Sequence, residues 1–152
     1  MVPSSKPKVI LVFGRICSGK GSYMTDVERI VVSDIIRAVT KFSKRTDLQN
    51  TQHLDTAIAG EIIIQIALSD APTVIVDGIR QISIVNKILE HFSDIEMVWL
   101  EVPTEERKRR YSARKDRKDD QPFEIVDNKP IELECQKIYE ILKDRLKVIN
   151  NY

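Results

Sequence analysis

Three glycines, two serines and a lysine fall within nine residues, Gly14-Arg15-Ile16-Cys17-Ser18-Gly19-Lys20-Gly21-Ser22. The chemistry this composition suits is the handling of phosphate. Gly14 and Gly19 let the chain turn tightly, so that successive backbone N–H groups can point inward at phosphate oxygens. Lys20 brings a cation to the outer phosphates of a nucleoside triphosphate, and a helix starting there would add the positive end of its dipole. A glycine-rich turn with no ligand would have the same composition. What favours the ligand is the run Val9-Ile10-Leu11-Val12-Phe13 just before it, which reads as a strand buried on both faces. Strand, loop and helix start is the context the motif needs, and it assigns residues 14–22 to ATP. The hydroxyl that commonly follows the lysine and holds Mg²⁺ comes one place later, at Ser22.

Two further elements carry charge where apolar runs end. Val74-Ile75-Val76-Asp77-Gly78-Ile79-Arg80 closes a strand with a carboxylate, at the sheet edge where α/β proteins bind ligands. Asp77 can orient Mg²⁺ through water beside a phosphate loop, Gly78 turns the backbone, and Arg80 can reach a second anion. A strand-terminal Asp can equally cap the next helix. Ser33-Asp34-Ile35-Ile36-Arg37 sits where a strand passes into a helix. Asp34 suits a helix start, whereas Arg37 in the same turn is slightly unfavourable unless an anion faces it. Arg37 is thus either a phosphate ligand or a solvated surface charge. Arg107, Arg110, Arg114 and Arg117, spaced three, four and three apart, fall on one stripe of a helix. Such a stripe repels itself unless anions neutralise it. Bound phosphate would do so, and so would the neighbouring acids Glu105, Glu106, Asp116, Asp119 and Asp120.

These residues need a scaffold, and the hydrophobic pattern supplies one. Residues 8–13, 29–33, 73–77, 96–102 and 146–149 have strand character. Helical patterns at 34–43, 54–69, 81–92, 104–117 and 131–143 separate most of them, with Ile35, Ile36, Val39 and Phe42 on one side of the first and Leu54, Ile58, Ile62 and Ile66 on one side of the second. Strands alternating with helices predict an α/β fold with a parallel sheet and right-handed crossovers. Only about two turns of helix fit between Lys20 and the second strand at ~1.5 Å rise per residue. The last strand has no helix after it to cover it. The polar stretch 44–53 and the charged stretch 115–129 read as the mobile segments.

Together these elements resemble the P-loop nucleoside monophosphate kinase family, of which adenylate kinase is a member. Gly19-Lys20-Gly21-Ser22 is similar to that family's phosphate loop, and Asp34 to Arg37 to its Gly-Asp-Met-Leu-Arg element, with Ser33 in place of the Gly. Asp77 to Arg80 is similar to its Asp-Gly-Phe-Pro-Arg element, and Arg117-Lys118-Asp119-Asp120 to the lid of its short-lid members. Asp-Gly-Ile-Arg at 77–80, the compact lid and the spacing Phe123…Asp127…Glu132 look closest to small phage-type deoxynucleoside monophosphate kinases and dephospho-coenzyme-A-kinase-related proteins. Residues 8–151 are covered. The chain departs from adenylate kinases where they carry another arginine beyond the lid, having Asn128 and Lys129 there.

The resemblance implies a P-loop NTPase three-layer fold, a five-stranded parallel sheet flanked by helices. It implies one domain over 1–152, with an acceptor-binding insert at 34–69 and a lid at 104–129. The activity implied is transfer of the γ-phosphoryl group of ATP to a nucleoside or deoxynucleoside monophosphate. Lys20, Arg110, Arg114 and Arg117 would act on the transferring phosphate. Asp34, Arg37, Asp77, Gly78 and Arg80 would hold the acceptor, and Ser22 and Asp77 would hold Mg²⁺. An acceptor phosphate oxygen is already anionic, so the reaction needs positioning, charge neutralisation and exclusion of water more than a base. A dephospho-coenzyme-A-kinase-like enzyme is the alternative, its hydroxyl acceptor requiring a base such as Asp34. A nucleotide-dependent regulatory or nucleic-acid-binding protein is a third reading.

Composition sets bounds on all three. At 152 residues, 42% hydrophobic and 31% charged with net charge +1, the chain has the make-up of a soluble globular domain. Nothing in that charge favours nucleic acid, and the arginine stripe lacks interleaved aromatics. Two cysteines and two histidines without close spacing argue against zinc. Cys17 lies within the loop, where it reads as a small filler or as a thiol activated by the loop's N–H groups. No stretch approaches the ~18 apolar residues of a membrane span, and residues 1–7 lack a signal-peptide apolar region. The expectation is a cytoplasmic protein, in the host cytoplasm if viral, with small nucleotides as partners. The last strand leaves an edge that a homodimer could cover.

Overall fold

The computed structural model describes residues 7–40, 54–114 and 121–151. Five strands, β1 (Lys8–Phe13), β2 (Glu28–Val31), β3 (Thr73–Asp77), β4 (Ile95–Glu101) and β5 (Leu146–Asn150), form one sheet in the order β2-β3-β1-β4-β5. Every pairing is parallel. Around it lie α1 (Val32–Thr40), α2 (Asp55–Leu68), α3 (Ile82–His91), α4 (Thr104–Ala113), α5 (Phe123–Asp127) and α6 (Pro130–Leu142). This is the α/β architecture expected, a five-stranded parallel sheet flanked by helices. The connection from β3 to β4 steps over β1, which opens a crevice beyond the carboxyl ends of β1 and β3.

The two faces of the sheet are covered unequally. On one, Val9, Leu11 and Phe13 of β1 pack with Ile58, Ile62 and Ile66 of α2, Ile84 and Ile88 of α3, and Ile138 and Leu142 of α6, all buried. On the other, Ile10, Val12, Ile75, Val98 and Leu100 are covered by Tyr23, Val27 and Ile149. Val, Ile and Leu on both sides of β1 are therefore needed, but the second layer of cover is thin.

The thin cover has a local cause, and it corrects an expectation. No α-helix follows the loop; a 3₁₀ turn at Lys20–Ser22 leads through further turns into β2. Glu28 of β2 is level with Val74, and Val74 with Val9 at the start of β1. Residues 21–27 must therefore descend most of the sheet, ~15 Å for strands of this length. Coiled as a helix they would cover only ~10 Å. The segment makes the descent through successive turns, being too short for an α-helix to do so.

Two other boundaries moved. The helix expected at 104–117 ends at Ala113, with Arg114 extended at φ −64°, ψ 128°. Arg114 thus leaves the stripe, and Arg117 lies outside the described residues, as do 41–53. The stretch 115–129, expected to be mobile throughout, has a packed second half: α5 buries Phe123, Val126 and Asp127. Phe123 meets Tyr111 edge-on at 5.7 Å, and with Ile16, Cys17 and Val126 they form a small apolar cluster under the loop. Val39, assigned to the buried side of its helix, is 38% exposed. Among the described residues, no helix is long and apolar enough to cross a membrane.

Candidate active site

The loop between β1 and the 3₁₀ turn is closed by its own residues. A Cβ at Gly14 would run into Ser18 Oγ and come within 3.2 Å of the Leu100 carbonyl, so only glycine allows the approach. Cys17 and Gly19 have φ of 64° and 88°, the alternation that turns successive N–H groups to one side. Lys20 folds back into the ring they make, donating from Nζ to the Gly14 carbonyl at 2.9 Å and the Arg15 carbonyl at 3.1 Å. Burial and the nearby Arg80 guanidinium push its pKa below the usual lysine value. A cation held that way is ready to exchange carbonyl partners for phosphate oxygens.

In front of the loop is a cleft of about 310 Å³. Ile16, Cys17, Ser18, Gly19, Lys20 and Gly21 form one wall, with Asp77, Gly78, Arg80 and Gln81 beyond β3, Val31 to Ser33 and Ile36 from β2 and α1, and Arg114 and Ile131 at the rim. Gln81 is fixed by donating its amide to Asp55 at 2.9 Å.

Behind the loop lies a network of buried charge. Glu132, fully buried in the first turn of α6, accepts the Ile16 N–H at 2.8 Å. Its oxygens also face Arg15 Nε at 3.8 Å and Arg80 Nε at 3.4 Å. Asp127 accepts both arms of Arg107, at 2.7 and 3.3 Å, and pairs with Arg15 at 2.9 Å. Arg107 also donates to the Ile16 carbonyl at 3.3 Å. On the far side, Arg110 donates to the carbonyls of Cys17 at 3.2 Å and Asn151 at 2.7 Å, while the Asn151 amide donates to the Ser18 carbonyl at 2.8 Å. Glu106 holds Arg110 from below at 2.9 Å; hydrogen bonds from Arg109 and Arg110 bring its carboxyl down to about 2.

The residues assigned from sequence therefore divide into those the cleft brings together and those it does not. Ile16 to Gly21, Asp77, Gly78, Arg80 and Arg114 line it. Gly14 and Arg15, within the loop, and Arg110, bonded to its Cys17 carbonyl, are outside the lining. Asp34 and Arg37 pair with each other at 3.1 Å on α1 and stay outside the lining, where their neighbours Ser33 and Ile36 stand instead. Arg107 does not face a ligand as the stripe supposed: it is buried against Asp127, with Phe123 across its guanidinium at 5.5 Å.

Sequence reasoning gave no role to three residues that hold this site together. Glu132 had a signal, since it lies three residues before Cys135 on the buried face of α6. Asp127 had none beyond its spacing. Arg29, on the edge strand β2, reads as solvent-facing, yet its Nε is 3.4 Å from Asp77 Oδ2 and its Nη2 donates to the carbonyls of Lys20, at 3.1 Å, and Tyr23.

Arg29 also decides how the two proposed Mg²⁺ ligands fit. Asp77 reaches the cleft but already carries a cation, and Ser22 is exposed and outside the lining. The two do not make a resident metal site. Among the described residues, no group of three or more His, Cys, Asp or Glu could hold a metal ion either.

No protein-family model matches the chain, and no curated protein matches it in sequence. Solved structures do match. Shikimate kinase from Aquifex aeolicus superposes with a TM-score of 0.56 at 18% identity, over 94% of this chain and 86% of that one. Shikimate kinase from Bacteroides thetaiotaomicron gives 0.55 at 15% identity over the same shares. A sugar kinase from Janibacter sp. HTCC2649 gives 0.54 at 13% identity, over 90% and 95%. At such identities the likeness speaks for architecture: this chain has the fold of the P-loop kinases.

Proposed function

We propose that the protein is an ATP-dependent phosphotransferase whose acceptor is a nucleoside or deoxynucleoside monophosphate. The observation that carries this reading is the composition of the cleft, where the loop, Lys20, Arg80 and Arg114 all line about 310 Å³. Two guanidinium groups facing a phosphate loop suit two polyanions brought into line. ATP, with the Mg²⁺ its polyphosphate carries in solution, lies along residues 16–21. Lys20 leaves the Gly14 and Arg15 carbonyls for the transferring phosphate, Arg80 grips the acceptor phosphate, and Arg114 closes from the rim. Asp77 is the one carboxylate among the described residues lining the cleft, and Arg29 neutralises it. A hydroxyl acceptor would want a free base there, which is why a phosphate acceptor is preferred.

The second reading rests on the fold neighbours, since shikimate and sugars offer hydroxyls rather than phosphate. One assay separates the two: coupled ADP release with every ribo- and deoxyribonucleoside monophosphate, dephospho-coenzyme A, shikimate and simple hexoses. ADP release that depends on a monophosphate is the expected result. Release driven only by a hydroxyl acceptor would overturn the reading.

A further inference from the structure

We infer that Arg29 is a positioning residue that does two jobs at once: it braces the exit of the phosphate loop in place of the missing helix, and it is the resident counter-cation of Asp77. The inference rests on the cleft being a phosphate site, as proposed above, but its test does not need turnover.

The first job follows from the backbone. In a loop followed by a helix, the carbonyls leaving the loop are taken up by N–H groups one turn on. Here the 3₁₀ turn ends at Ser22, its Lys20 carbonyl taking the Tyr23 N–H at 3.3 Å, and the chain runs on toward β2 with no further helical turn. Arg29 Nη2 accepts none of this passively: it donates to the carbonyls of Lys20 and Tyr23, crossing from β2 to both ends of that turn. A planar guanidinium can serve several acceptors together, which a lysine ammonium does with far less fixed geometry.

The second job follows from charge. Arg29 and Asp77 side chains are 15% and 10% exposed, so neither is well solvated alone. Arg29 Nε lies 3.4 Å from Asp77 Oδ2 and has no hydrogen-bond partner. A pair that close but poorly aligned neutralises charge without locking it. Gly21 completes the argument. It stands directly after Lys20, and a Cβ there would meet nothing nearer than Asp77 Oδ2, at 4.0 Å. A serine at that place would bring a hydroxyl beside the carboxylate, forming the pair of oxygen donors a divalent cation needs. The chain has glycine there and an arginine on the carboxylate.

Nucleotide-free protein should therefore hold a divalent cation at Asp77 only weakly, and removing the arginine should create the site. Mn²⁺ titrated into nucleotide-free protein, with free ion followed by electron paramagnetic resonance, is the measurement. Arg29→Gln is expected to bind Mn²⁺ about tenfold more tightly than wild type. Gly21→Ser added to Arg29→Gln should tighten it further, and Asp77→Asn added to Arg29→Gln should return it to the wild-type value. A folded Arg29→Gln protein with unchanged Mn²⁺ affinity overturns the counter-cation role, as does tight, Asp77-dependent binding by wild type. If Arg29→Gln does not fold, Arg29→Lys carries the test. It keeps a charge near Asp77, but its ammonium falls one bond short of the Nη2 that serves both carbonyls, so Mn²⁺ binding should stay weak while amide exchange over residues 20–24 accelerates. Unchanged exchange there overturns the brace. A null result in the ADP-release assay with these metal results intact would remove the kinase reading and leave this one standing.

Discussion

Two buried arginine–aspartate pairs flank the phosphate loop, and they are built to different standards. Arg107 meets Asp127 through both arms at 2.7 and 3.3 Å, with Arg15 adding a second cation at 2.9 Å. Arg29 Nε stands 3.4 Å from Asp77 Oδ2 without an aligned hydrogen bond. The exposures are similar, so solvent does not explain the difference. Location does: Asp127 is behind the loop, while Asp77 lines the cleft. A bidentate pair with every oxygen engaged is a fastener. A 3.4 Å approach without an aligned hydrogen bond holds the carboxylate less firmly.

The largest effect should come from cutting the fastener. Asp127→Asn leaves two buried guanidinium groups short of charge and should cost about 3–5 kcal/mol in urea unfolding. Asp77→Asn, under the same measurement, should cost well under half of that. Equal costs would erase the distinction between the pairs.

Lys20→Ala should come next, and its effect should fall on rate. Losing the cation at the transferring phosphate removes about 3 kcal/mol of transition-state stabilisation, roughly a hundredfold in kcat. Near-wild-type turnover in a folded variant would break the assignment of the loop. Arg80 lines the cleft, with its Nε 3.4 Å from Glu132. Arg80→Ala should accordingly raise KM for the monophosphate, by about 1.5–3 kcal/mol, and leave that for ATP little changed. The opposite pattern would reverse the two sites.

A smaller effect is a pH dependence. Lys20 has a folded pKa below its unfolded value of 10.5, so in that window the unfolded chain binds more protons and folding stability gains as pH rises. The stability difference between wild type and Lys20→Met should therefore shift in favour of wild type through that window; a shift the other way would mean Lys20 is stabilised as a cation. The smallest effect belongs to Arg109, paired with Glu106 at 2.6 Å on the surface and 68% exposed. Arg109→Ala should leave the urea unfolding midpoint and turnover indistinguishable from wild type.

The strands were legible because a parallel sheet demands continuous Val and Ile, and β1 and β3 have little else. The loop was legible because glycine at 14 and 19 answers a steric need visible in spacing alone. The arginines were not. Arg107, Arg110 and Arg114 differ in role by where three to four residues of backbone end, and the helix stop at Ala113 has no proline or glycine to announce it. Arg29 was invisible for a different reason. Its partners arrive from β3 and from the turn, so its task exists only once β2 pairs with β3.

The amide of Asn151 and the carbonyl of Ser18 that it holds are 133 residues apart in the chain. Arg110, Asp127 and Glu132, the other fasteners of the loop, are also made long after it. At typical translation speeds the loop leaves the ribosome on the order of ten seconds before its last fastener exists. During synthesis the nascent chain therefore has the loop's sequence without the contacts that set its geometry. Any nucleotide affinity of the loop should appear only once the chain has been made and folded through residue 151.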